Sequence, residues 1–118
     1  MAITPGYIQR MRASGKGADE AADLLRNELG IQLSESEYKD IELGADSVME
    51  GNPYAIATFY LGIAVKSMSP QNLADKMAAA NYAAVVTRWQ RSGKLEADYL
   101  YTNLMDTLSD NFGLRVQR

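Results

Sequence analysis

The chain has no cysteine and no histidine, and only three prolines and one tryptophan among its 118 residues. Without a thiol or an imidazole there is no cysteine nucleophile, no thiolate or imidazole metal ligand and no imidazole proton shuttle. A disulfide scaffold is excluded as well, although a chain without cysteine can live in either redox environment. Long apolar runs are also missing. The longest stretch free of charge lies between Glu50 and Lys66, and as a helix it would reach only about 22 Å against the roughly 30 Å of a bilayer core. The opening residues Met1-Ala2-Ile3-Thr4-Pro5-Gly6 lack the basic and then apolar pattern of a targeting peptide. The expected setting is the cytoplasm, or the inside of a particle assembled there, with no membrane as partner.

What remains is an ordinary globular composition, 47% hydrophobic and 23% charged, which argues against disorder and allows one core. No repeat, low-complexity tract or long linker divides the chain, so residues 1–118 are expected to form a single domain. Apolar residues recur at helical spacing and nowhere alternate for long enough to make a strand. The fold class predicted is therefore all-α, a compact bundle of five or six helices.

Local signals place those helices. Residues 1–16 read as a short N-terminal helix opened by Thr4-Pro5 and ended at Gly15, with Tyr7, Ile8 and Met11 on one face. From Ala18 to Leu29, Ala21, Ala22, Leu25 and Leu29 form a stripe, carboxylates occupy the first turn, and Gly30 stops the helix so that Ile31 folds back on it. Ser34 and Glu37 have the spacing of a capping box, flanked by Leu33 and Tyr38 as a hydrophobic staple, and open a helix expected to run to Gly51. Asn52-Pro53 restarts the chain. The segment 53–66 is apolar around nearly its whole circumference and is expected to be the central helix. Ser69-Pro70 is read as the cap of the longest helix, about 70–92, with Leu73, Met77, Ala80, Ala84 and Val85 turned inward. A last helix, about 95–111, carries Ala97, Leu100, Tyr101, Leu104 and Leu108 to the stop at Gly113, and 115–118 is read as a loose tail.

The net charge of −3 hides a segregation. Residues 1–18 carry three bases and no acid, residues 19–50 hold ten acids against Arg26 and Lys39, and residues 51–118 hold seven bases and five acids. One reading is that the acids are the solvated faces of two surface helices. The other is that an acidic surface, including Glu35, Glu37, Asp40, Glu42 and Asp46, meets a basic protein partner. That partner could be the Arg88, Trp89, Arg91 and Lys94 end of a neighbouring copy in a homo-oligomer.

Three constellations compete with that view. A helix-turn-helix reading of 18–50 meets the wrong charge, because a recognition helix opening with Glu35 and Glu37 would push carboxylates at phosphates. The basic and aromatic cluster of Arg88, Trp89, Arg91, Lys94, Tyr99 and Tyr101 suits a nucleic-acid strand, with Arg10 and Arg12 as further cations. The plainer account is that Trp89 and Tyr101 close the edge of the core while the cations complement a helix C-terminus. Finally, Glu42 with Asp46 and Asp19 with Asp23 lie one turn apart, the spacing of carboxylates that could touch a hard cation, but no calcium-loop or phosphate-loop pattern accompanies them.

The alanine-rich middle of the 70–92 helix, with Tyr82, Val85, Val86 and Trp89, carries more apolar surface than one stripe hides. Two faces are therefore expected to be buried, either because the helices 53–66 and 95–111 flank it inside one bundle, the commoner arrangement, or because one face packs against another subunit. The expectation drawn from the sequence is a non-enzymatic helical protein-protein interaction or assembly protein without cofactor or metal. Chains of this size and charge layout are frequent among bacteriophage and mobile-element products, as virion components or small inhibitors of host machinery. The alternatives are a nucleic-acid-binding helical domain and a carboxylate-dependent enzyme, the last requiring a concave pocket with at least two acids.

Overall fold

The computed structural model describes residues 17–47, 52–95 and 98–114, excepting the side chains of 43–47 and 98. The N-terminal helix expected over 1–16, the end of the second acidic helix at 48–51 and the tail 115–118 lie outside the described residues. Within them stand five α-helices: α1 (Ala18–Leu29), α2 (Glu35–Ser47), α3 (Pro53–Ala64), α4 (Leu73–Arg91) and α5 (Asp98–Phe112), with a 3-10 turn at Val65–Ser67. Among the described residues there is no strand. None of the described helices is long and apolar enough to cross a membrane.

The caps hold these boundaries in place. Gly30 takes φ +66° and closes α1 with two backbone bonds, from its own amide to Arg26 and from Ile31 to the Leu25 carbonyl. The second bond is the fold-back that an apolar residue after a left-handed glycine makes. The capping box forms as well: the Ser34 amide donates to Glu37 Oε1 at 3.0 Å, and the Glu37 amide to Ser34 Oγ at 3.3 Å. Asn52 caps α3, its Oδ1 accepting from the amides of Tyr54 and Ala55 at 3.1 and 3.2 Å, with Pro53 in the first helical position where no amide is needed.

The core is a single cluster to which all five helices contribute. Helix α3 occupies its middle and packs against α1, α2, α4 and α5. Helix α1 contributes Ala18, Ala21 and Ala22 to the fully buried core and α3 contributes Ala55 and Ala57, and such small side chains let packed axes approach closely. The all-α bundle, its central helix and its longest helix are as expected.

Helix α4 differs from expectation in two respects. It starts at Leu73, not Pro70: Asn72 is the cap, accepting from the Asp75 amide at 3.1 Å, while Ser69, Pro70 and Gln71 form the preceding turn. Its rotation is also different. Ala79, Tyr82, Val85, Val86 and Trp89 face the core, whereas Leu73, Met77, Ala80 and Ala84 are exposed. The reason is volume: two aromatic rings and two valines bury far more apolar area than one leucine, one methionine and two alanines.

Candidate functional site

Two surfaces draw attention, the junction of α1, α3 and α4 where the basic candidates Arg88 and Lys94 meet side chains of the other helices, and the outer face of α4.

The junction is built by caps. Gly93, at φ +73°, ends α4 and turns the chain so that the Lys94 amide returns to the Trp89 carbonyl at 3.0 Å. The same turn brings the Lys94 carbonyl within 3.4 Å of Asn52 Nδ2, so one asparagine caps α3 with its oxygen and holds the end of α4 with its nitrogen. Lys94 Nζ then lies 3.2 Å from the Tyr54 hydroxyl and 5.0 Å from the centre of its ring. Tyr54 meets Trp89 edge to face at 5.3 Å. Glu28, from α1, completes the arrangement: its Oε1 accepts from Arg88 Nη2 at 3.0 Å and from Trp89 Nε1 at 3.4 Å.

The basic, aromatic end of α4 is thus sewn onto the chain's own acidic helix. Trp89 is only 2% exposed and presents no ring face to a nucleic-acid base or a partner. Arg88 and Lys94 are exposed but already engaged, with Glu28 and Tyr54 respectively. Arg91 is exposed. The account of Trp89 and Tyr101 as residues closing the edge of the core agrees with their burial.

The acidic candidates divide similarly. Glu37 faces inward, taking a hydrogen bond from the Tyr60 hydroxyl at 2.6 Å besides its capping role. Burial pulls its carboxyl upward, but the bonds from Tyr60 and Ser34 outweigh this and hold its pKa below the usual 4.5. Tyr60 is pushed well above the ordinary tyrosine value, by burial first and by Glu37 second. On the outside of α2, Asp40 is exposed and Glu35 and Glu42 are partly so. The side chain of Asp46 lies outside the described residues.

Between α1 and the start of α3 runs an open groove of about 490 Å³ lined by Glu20, Asp23, Leu24, Asn27, Glu28, Pro53 and Tyr54. It meets the geometric requirement set for a carboxylate-dependent enzyme, a concavity with at least two acids. Two of its three carboxylates are tied, however, Asp23 to Arg26 and Glu28 to Arg88. Local charge is therefore largely compensated by the chain itself. Among the described residues no three acidic side chains converge to hold a metal ion.

No protein-family model, curated protein or solved structure gives a significant match to this chain.

The outer face of α4 is the more unusual of the two. Leu73 is 71% exposed and Met77 66%, one turn apart, and exposed Ala80 and Ala84 continue the line. Their spacing of four, three and four is that of a helix seam that packs against another helix. Lys76 and Asn81, both exposed, flank it. The sequence named all four residues but turned them toward the core. The signal that separates the two faces was present in the bulk of Tyr82 and Trp89.

Proposed function

We propose that this chain is an α-helical protein-protein interaction or assembly domain, and that it docks through the outer face of α4. The observation that carries this reading is the exposed stripe of Leu73, Met77, Ala80 and Ala84. The core of the described residues is formed by the inner face of α4 with the other four helices, and this second apolar line is not part of it. Isolated exposed apolar side chains are common on protein surfaces, but a stripe in helical register is the kind of feature that marks an interface. The reading shifts the contact surface away from the charges. Arg88 and Lys94 are engaged within the chain, and the head-to-tail pairing of acidic and basic faces loses much of its basic half.

The test is a photo-crosslinking residue placed at Met77 in cells that make the protein, with Asn111, an exposed position on α5, as control. The reading predicts covalent protein adducts from position 77 that vanish when Ala84→Glu is added. Adducts no more frequent at 77 than at 111 would overturn it.

A further inference from the structure

A second groove runs between α3 and α5, and no residue of α4 lines it. It encloses about 400 Å³, with Phe59 and Ile63 on the α3 side and Leu100 and Leu104 on the α5 side. Ile63 is 42% exposed and Tyr99, also in the lining, 55%, so apolar area at the rim stands open to solvent. The lining positions 58–66 and 99–107 each extend about 12 Å along their element, roughly two helical turns. That is short for a partner helix and ample for a small molecule.

The lining includes a glycine that the fold itself does not require. Gly62 lies within α3 without a left-handed backbone, where alanine makes the better helix. A Cβ at this position would meet nothing within 4 Å, so no neighbouring helix needs the space. Glycine in such a place lets a ligand approach the main chain closely.

The polar lining is equally selective. Thr58 and Thr107 already donate their hydroxyl protons to the Tyr54 and Asn103 carbonyls, at 2.7 and 2.9 Å. Lys66, in the 3-10 turn after α3, is the one charged side chain among the described residues of the lining. It is exposed and makes no ion pair among the described residues. An apolar trough with one uncompensated cation complements a ligand with an apolar body and one negative charge. We infer that the α3–α5 groove binds a small amphipathic monoanion, an alkyl carboxylate that lies against Gly62 with its carboxylate toward Lys66.

Amide NMR of the whole chain, titrated with decanoate below the concentration at which it forms micelles, tests this. Saturable shifts should centre on Gly62 and Asn103. Because Lys66 is exposed, Lys66→Gln should weaken decanoate by about threefold and leave decanol, the same chain without the charge, unaffected. Gly62→Leu fills the space beside α3 and should cost about tenfold or more in affinity. Gly62→Ala, which should melt no lower than the native chain, replaces it if the leucine variant does not fold, and should also bind more weakly. No saturable shift, or shifts centred away from the groove, would overturn the site. Decanol binding as tightly as decanoate, or Lys66→Gln without effect, would overturn the anion as its ligand, and undiminished binding by the folded glycine variant would overturn the part given to Gly62.

Discussion

The Tyr60 hydroxyl donates to Glu37 Oε2 at 2.6 Å and joins two helices across 23 positions of sequence. Glu37 thereby works twice, closing the capping box at the start of α2 and anchoring that helix to the centre of the bundle.

This pair sets the response to pH. Glu37 has a lowered pKa in the fold, so its contribution is present above the ordinary glutamate value and is lost as pH falls through the folded value. Tyr60 has a raised one. Its contribution is complete below the unfolded value of about 10 and declines as pH rises above it. Urea midpoints should fall on both sides, and Tyr60→Phe should flatten both limbs; a variant with unchanged limbs would contradict the assignment.

The cap of α3 is the next expectation. Asn52→Ala removes two accepted amide bonds and the link to the Lys94 carbonyl, and should cost about 1 kcal/mol or somewhat more. Asn52→Asp keeps the cap but lacks the donor to Lys94. Chemical denaturation should rank it between the native chain and the alanine variant.

Arg88 and Glu28 should respond unequally. Their pair is largely exposed, so Arg88→Ala should change stability by less than about 1 kcal/mol. Glu28→Ala also removes the acceptor of the Trp89 ring nitrogen and should cost more. Trp89 is the only tryptophan, so its fluorescence reports both changes directly.

At the core end of the same cluster, Trp89→Ala removes a nearly fully buried ring packed against Tyr54. A loss of about 3–5 kcal/mol is expected. By contrast Ala84→Glu, on the outer face of the same helix, should leave stability within about 0.5 kcal/mol, as thermal melts can show.

Much of the fold was legible because its signals are local. Ser34 with Glu37, Gly30 with Ile31, and Asn52 with Pro53 each specify a helix end through bonds spanning a few residues, and each forms. The rotation of α4 was not legible in the same way, since both of its faces are apolar and only competition for core volume decides between them. Glu28 and Arg88 lie 60 positions apart, and no spacing rule brings them together. Charges sorted along the chain are partly reunited by folding, Arg88 with Glu28, while Trp89 is buried and Leu73 and Met77 are left exposed.

The most direct test of the α4 face as the docking surface is photo-crosslinking from position 77 in cells, with and without Ala84→Glu. An apolar seam along α4 predicts protein adducts at 77 that vanish when Ala84→Glu is added. Adducts no more frequent than from position 111, or adducts untouched by Ala84→Glu, would contradict it.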